Sequence, residues 1–175
     1  ATPNNPTGIS LNRDELKSIA DLAIKHDLWV VSDEVYSDLV FDSEFFHIAS
    51  LPGMAERTIT LGSLSKSFAM TGWRIGWALG PKQFIDNAAK LALCMLYGLP
   101  GFLQQGGIFA LESAQQDMIN MREAYRGRRD LLIQKIDGIR GVKSLKPDAG
   151  MVLMVDVRGN GSVSYTPLTM PTILA

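Results

Sequence analysis

The sequence predicts an α/β fold, because short apolar runs typical of strands alternate with longer segments of helical spacing, and polar residues follow the ends of the strands. Of its 175 residues, 46% are hydrophobic and 20% are charged, the composition of a protein that folds around a core. The net charge is −1 and there is one cysteine, Cys94. We therefore expect no nucleic-acid partner, no disulfide scaffold and a reducing, cytoplasmic location.

The first part of the chain alternates helix and strand. Asn12 and Glu15 have the spacing of a capping box, and apolar residues recur at helical spacing from Leu16 to Ile24. Three β-rich runs follow, at residues 28–31, 57–61 and 73–79. The first is apolar throughout, which predicts a strand buried on both faces, as in a parallel sheet.

After Pro81 the spacing is helical in three segments, at residues 82–97, 102–113 and 116–136. No residue from Leu91 to Leu111 is charged, but glycine and proline interrupt the stretch. It therefore predicts two buried helices joined by a turn, with Cys94 in the core, and no membrane span. The same stretch is also a candidate for an oligomer interface.

Two further β-like runs, at residues 142–145 and 151–157, indicate a smaller α+β unit. We divide the chain into residues 1–116, residues 117–158 with the long connecting helix and the start of that small unit, and an atypical tail at 159–175. The tail has no charge after residue 158 and neither helical nor strand spacing. It is a loop, a truncated connection or a non-native addition.

The residues that could bind a ligand or take part in catalysis follow the predicted strands, where open α/β sheets bind ligands. Each motif alone is more often a turn, a strand exit or a helix cap. Together and in order, however, NPTG at 5–8, SDEVY at 32–36 and SLSKSFAMTGWRIGW at 63–77 resemble the fold-type-I pyridoxal-phosphate aminotransferases of class I/II. The resemblance covers residues 3–157, and it implies the large cofactor-binding domain plus the start of a smaller C-terminal domain.

The resemblance implies that pyridoxal 5'-phosphate is the cofactor and that Lys66 is the catalytic residue. Lys66 matches the lysine that forms a Schiff base with the cofactor and then moves a proton between the substrate α-carbon and the cofactor C4′. Asp33 matches the carboxylate that pairs with the pyridine nitrogen. No metal site is expected.

Five other residues match cofactor contacts of the family. Asn5 and Tyr36 match the two groups that hydrogen-bond the phenolic oxygen of the cofactor. Arg74 matches the phosphate-binding arginine, eight residues after the lysine, and Ser63 and Ser65 would add hydroxyl donors to the phosphate. Glu34, His26 and His47 have no such match, so we expect structural roles for them.

The implied function is transfer of an amino group from an amino acid to a 2-oxo acid such as pyruvate, by a homodimeric parent protein. Residues 91–98 resemble the corresponding stretch of arginine–pyruvate transaminases, and residues 97–101 hold no arginine for a second substrate carboxylate. The family's phosphate-binding loop, stacking aromatic and late arginine have no counterpart, so we expect an internal fragment. A carbon–sulfur lyase of the same fold, a cofactor-sensing domain of a transcription regulator and an inactive fragment remain alternatives.

Overall fold

The computed structural model describes residues 1–160 and 165–169, and it has the predicted α/β fold. The first unit contains helix α1, Arg13–Lys25, followed by the strands β1, Val30–Asp33, and β2, Thr58–Ser63; then the short helix α2, Leu64–Ser67, and the strand β3, Gly76–Leu79. Three longer helices follow: α3, Lys82–Leu96; α4, Gly101–Ser113; and α5, Gln115–Asp137. The last strands are β4, Lys143–Leu145; β5, Val152–Asp156; and β6, Tyr165–Thr169.

The first sheet has the order β1-β2-β3. β1 and β2 are parallel, and Asp33 lies opposite Leu61. β3 is antiparallel to β2, and Gly76 lies opposite Ser63. The carboxyl ends of β1 and β2 and the beginning of β3 therefore meet at one edge of the sheet.

α1 shares an apolar cluster with Val30 of β1 and begins with the predicted capping box. The Asn12 side chain accepts hydrogen bonds from the backbone N–H groups of Asp14 and Glu15, and Glu15 accepts one from the Asn12 backbone N–H. These bonds satisfy donors that the first helical turn would leave unpaired. The apolar side of the helix belongs to a cluster formed by Leu16, Ala20, Ala23, Ile48 and Met54.

The second sheet has the order β4-β5-β6 and is antiparallel. It packs with α5 around a cluster that also includes residues just after β1. That cluster contains Tyr36, Leu39, Phe41, Tyr125, Ile136, Leu153 and Val155. The core of the second unit therefore extends into the region of the predicted site.

Burial is where the sequence-based prediction was wrong. β1 is not buried on both faces, because Val31 is 59% exposed and the preceding Trp29 is 54% exposed. α3 and α4 form as predicted, but no residue of α3 is buried, and Cys94 is exposed. Apolar spacing identified apolar faces, but all side chains of α3 are at least partly exposed, and α4 buries only Gly107 and Ala110. No helix in the described part of the chain has the length and hydropathy needed to cross a membrane.

The tail also differs from its sequence pattern. Tyr165–Thr169 pairs antiparallel with β5, with Tyr165 opposite Asp156. Its alternation is too weak to indicate a strand, so the ladder of β5 supplies the order that the local sequence lacks. Residues 161–164 and 170–175 lie outside the described residues. The origin of residues 159–175 and the proposed unit boundaries stay predictions.

Candidate active site

The structure brings Asn5, Asp33 and Tyr36 together. The backbone N–H of Thr2 donates to the Asp33 carbonyl at 3.1 Å, which holds the turn containing Asn5 beside the end of β1. The side chain of Asn5 hydrogen-bonds the phenol of Tyr36, and the Asp33 carboxylate acts on the same phenol electrostatically. The three residues predicted to contact the ring nitrogen and the phenolic oxygen of the cofactor thus lie together.

Burial and the nearby carboxylate control the ionisation of Tyr36. Burial is the largest cause and raises the pKa of the phenol, because the phenolate would lose its hydration. The negative charge of Asp33 raises the pKa further, and the hydrogen bond with Asn5 works in the opposite direction. Tyr36 is therefore a neutral hydroxyl in the folded chain at neutral pH.

Asp33 is half-buried and largely unpaired. Its Oδ1 accepts a hydrogen bond from the Val35 backbone N–H at 3.3 Å. Within residues 1–160 and 165–169 its carboxylate has no ion-pair partner. A cationic N–H group of a ligand would find this acceptor available.

A second group forms where β2 passes into α2. Ser63 caps α2, since its Oγ accepts from the Ser65 backbone N–H and donates to the Ile75 carbonyl, both at 3.0 Å. The hydroxyl proton of Ser63 is therefore used within the protein in this structure. Ser65 and Lys66 lie in the single helical turn that follows and are half-buried.

The side-chain amine of Lys66 makes no hydrogen bond or ion pair with any of the described residues. It follows β2 by three residues, as Tyr36 follows β1 by three. The Glu34 backbone N–H donates to the Leu61 carbonyl at 3.0 Å, so the two strand exits remain hydrogen-bonded neighbours. The amine of Lys66 is thus an unpartnered group at the same sheet edge as Asp33.

Arg74 lies between a 3₁₀ turn and β3 in a left-handed conformation, with φ +56°. This conformation is uncommon for a residue with a side chain, and such residues are concentrated at ligand sites. The guanidinium is exposed and donates to the Thr71 carbonyl at 3.0 Å. Most of its five N–H donors are left for another acceptor.

Sequence reasoning missed a buried network on the other side of β1. Glu34 is 3% exposed and accepts a hydrogen bond from the Ser32 hydroxyl at 2.8 Å, while His47 Nδ1 lies 2.5 Å from its Oε2. The alternation of Ser32 and Glu34 along the strand was a signal for a polar face. Nothing in the sequence indicated His47, which follows Glu34 by thirteen residues.

These residues fit pyridoxal 5'-phosphate. The amine of Lys66 suits its aldehyde, the guanidinium of Arg74 and the hydroxyl of Ser65 suit its phosphate, and Asp33 suits its protonated ring nitrogen. Among the described residues, the amine of Lys66 without a partner and the carboxylate of Asp33 without an ion pair, both at one sheet edge, are the observations that carry this fit.

Comparison with known proteins identifies the family of this chain. The family described as "Aminotransferase class I and II" matches residues 1–169. Over 160 residues the chain is 53% identical to the arginine–pyruvate transaminase of Pseudomonas aeruginosa, covering 91% of this chain and 41% of that protein. It is 39% identical over 160 residues to an aspartate aminotransferase of Musicola paradisiaca, covering 91% of this chain and 40% of that protein.

A solved structure shows the same fold. The crystal structure of the aromatic aminotransferase from Pyrococcus horikoshii superposes with a TM-score of 0.86 at 37% identity, covering 91% of this chain and 43% of that chain. The chain therefore spans about two fifths of the length of the relatives it matches. With a family match over nearly its whole length, the chain belongs to the class I and II aminotransferases.

Proposed function

We propose that this chain supplies the cofactor-binding part of a pyridoxal-phosphate-dependent aminotransferase, which moves an amino group from an amino acid to a 2-oxo acid. The observation that carries the proposal is the position of Asp33 at the end of β1 and of Lys66 just after the parallel strand β2, together with the Asn5–Tyr36 pair. The family to which the chain belongs supports the same reaction.

Asp33 has the role of binding the ring nitrogen. A carboxylate beside that nitrogen keeps it protonated, and when bound the cofactor supplies an electron sink for charge that develops on the substrate α-carbon. Asn5 and Tyr36 orient the ring through its phenolic oxygen. The neutral phenol of Tyr36 can donate to that oxygen.

Lys66 holds the cofactor and moves the proton. With the cofactor bound, the Lys66 amine, once replaced on the cofactor by the amine of the substrate, would accept the proton from the substrate α-carbon and donate it at C4′, which requires a neutral amine within reach of both atoms. Since no described residue pairs with Lys66, the amine can reorient without breaking an ion pair. Arg74 and Ser65 fix the phosphate end, and Ser63 chiefly holds the turn that carries Ser65 and Lys66.

For the substrates, we propose arginine or a related amino acid as donor and pyruvate as acceptor. The arginine–pyruvate transaminase with 53% identity supports this choice. The described loop between α3 and α4 holds no arginine to bind a second substrate carboxylate, which disfavours a dicarboxylic donor. We further propose a homodimer in the cytoplasm, supported by the apolar surface of α3 and α4 and by an unpaired cysteine.

Trapping with borohydride tests the site. The whole protein that carries this chain is incubated with pyridoxal 5'-phosphate, reduced, digested and analysed by mass spectrometry. We expect the pyridoxyl group on Lys66, its loss in Lys66→Ala, and its retention in the control Lys90→Ala, which changes an exposed lysine of α3. A label on another lysine, with none on Lys66, would contradict the assignment.

Product analysis with arginine and pyruvate tests the reaction. We expect alanine and the 2-oxo acid of the donor in equal amounts. Release of ammonia and a thiol from a sulfur-containing amino acid, without alanine, would instead identify the carbon–sulfur lyase. Cofactor labelling with neither reaction would favour the sensing domain or an inactive protein.

A further inference from the structure

Tyr36 contributes to the proposed cofactor site and also to the core of the second unit. Its side chain is 7% exposed and lies in the apolar cluster with Tyr125 of α5 and Leu153 of β5, which are 2% and 0% exposed. A residue proposed to contact the cofactor thus packs against side chains from the part of the chain that follows residue 114.

Residues 147–150, which we call the Pro147–Gly150 segment, lead from β4 towards β5. They run beside Asn5 and Tyr36, the pair joined by a side-chain hydrogen bond. On one side, the backbone N–H groups of Asp148 and Ala149 donate to the Gly8 carbonyl at 2.9 and 3.0 Å. On the other side, the N–H of Gly150 donates to the Leu39 carbonyl at 3.0 Å. The segment is therefore fixed between the turn that carries Asn5 and the residues after Tyr36.

Two glycines allow this close approach. Gly150 has φ +85°, and a Cβ on it would lie 3.6 Å from Cδ1 of Tyr36, so its backbone packs on the aromatic ring. Gly8 has φ +69°, and a Cβ there would lie 2.7 Å from the Ala149 carbonyl oxygen. Side chains at these positions would strain the backbone, and at Gly8 they would also separate the segment from the turn.

The packing around the phenol leaves little space. Asn5, Tyr36 and Gly150 border a cavity of about 10 Å³, which is at the lower limit for one water molecule. The titratable groups that act on the phenol are Asp33 and Tyr125. Burial is the largest cause of the raised Tyr36 pKa, so displacement of the segment would admit water and lower that pKa.

We propose that the Pro147–Gly150 segment is a positioning element for Tyr36, through which the second unit controls the environment of a phenol in the cofactor site. The inference rests on the proposed function for the identity of the site. The contact itself exists without a cofactor, so it can be tested without one. Gly150 is the positioning residue, since its backbone covers the ring.

Spectrophotometric titration of tyrosine tests the proposal on the full chain without added cofactor. The signal of Tyr36 is obtained as the difference from Tyr36→Phe in each background. The test variant is Gly150→Val. The matched control is Gly98→Val, because Gly98 also has positive φ, +127°, but has no atom within 4 Å of a Cβ placed on it.

We expect Gly150→Val to lower the pKa of Tyr36 towards the ordinary value of tyrosine, and Gly98→Val to leave it unchanged. An unchanged Tyr36 titration in a folded Gly150→Val chain would overturn the proposal, as would an equal shift in both variants. If Gly150→Val does not fold, Asp148→Ala decides in the same way. That variant removes the hydrogen bond from the Ser10 backbone N–H to the Asp148 carboxylate, at 3.0 Å, and its charge; Asp148→Asn, which removes the charge but keeps an acceptor, is its control.

The two proposals fail separately. Absence of cofactor labelling on Lys66 would reject the proposed function and leave the titration result intact. An unchanged phenol titration together with labelling on Lys66 would reject the positioning role alone.

Discussion

Arg129 donates from Nη2 to the Asp42 carboxylate at 2.7 Å, although 87 positions separate the two residues. The arginine is 1% exposed, stacks over the ring of Phe41 at 4.8 Å and donates from Nη1 to the Pro147 carbonyl at 3.2 Å. A single side chain of α5 thus joins the segment after Tyr36 to the Pro147–Gly150 segment. The planar guanidinium of Arg129 can donate to several acceptors at once, for which an ammonium group is less suited.

Replacement of this arginine should destabilise the fold strongly. Arg129→Ala removes the buried packing and the hydrogen bonds with Asp42 and Pro147, and we expect a loss of about 3 kcal/mol in the free energy of unfolding. Urea denaturation measures it. The control Lys135→Ala removes an equal charge from an exposed position of the same helix and should change stability by less than about 0.5 kcal/mol. Equal effects of the two variants would contradict the role of Arg129.

The same pair should make stability depend on acid pH. Partial burial opposes ionisation of Asp42, but the hydrogen bonds and charges of Arg129 and Lys146 outweigh it and lower the pKa of the carboxyl. A lowered pKa in the folded state stabilises the fold above the unfolded value of about 4, and this contribution is lost as the pH falls through the folded value.

Comparison with Asp42→Asn measures this contribution. We expect the wild type to have the higher urea midpoint at pH 6, and the difference between the two proteins to shrink as the pH falls below about 4. A difference that stays constant from pH 6 to pH 2 would show that Asp42 contributes no pH-dependent stability.

The buried Glu34 network should matter for folding, in keeping with the structural role that the sequence led us to expect for Glu34. Glu34→Ala leaves the buried Ser32 hydroxyl without its acceptor, and we expect a cost of about 2 kcal/mol. Glu44→Ala is the control, because Glu44 is exposed in the loop that leads to His47. Thermal or urea unfolding distinguishes the two. A Glu34→Ala chain as stable as the control would mean that the network adds nothing.

The exposed apolar surface of α3 and α4 should support self-association. Leu93 is 63% exposed and Phe109 is 66% exposed. The double variant Leu93→Asp and Phe109→Asp should weaken a homodimer at least about tenfold, equivalent to about 1.4 kcal/mol. Sedimentation of the whole protein measures it. Asn87→Asp with Gln105→Asp adds the same charge at exposed polar positions and should leave the dimer intact.

The capping box of α1 should contribute a small amount to the free energy of unfolding. Asn12→Ala removes the acceptor for two backbone N–H groups, and we expect a cost of about 1 kcal/mol. Arg13→Ala changes an exposed neighbour and should be nearly neutral. The free energy of unfolding of both variants provides the test, and a neutral Asn12→Ala would show that solvent replaces the cap.

Local features were readable from the sequence, and contacts distant in sequence were not. Asn12 and Glu15 indicated the start of α1 because capping is encoded within four residues. The strand exits at Asp33 and near Ser63 followed from short apolar runs, although the strands themselves begin or end up to three residues away from those runs. These exits placed the predicted site residues at one edge of the sheet.

Burial could not be predicted in the same way. Spacing showed that Val31 and Leu93 belong to apolar faces, but exposure depends on what other elements cover a face. The contact between Glu34 and His47 and the packing of Gly150 on Tyr36 arise from the tertiary fold. β6 forms by hydrogen bonding to the edge of β5, and the composition of the tail did not indicate this pairing.

The arrangement of the first sheet has a practical consequence for handling this protein. Among the described strands β1 pairs only with β2, so the opposite rim of β1, apart from the Asp33 carbonyl that accepts from the Thr2 backbone N–H, offers amide and carbonyl groups to an extended peptide. At high concentration, copies of the chain would pair with one another along that rim, next to the exposed side chains of Trp29 and Val31. Dilute conditions, or co-production with a strand that fits the rim, should keep the chain in solution.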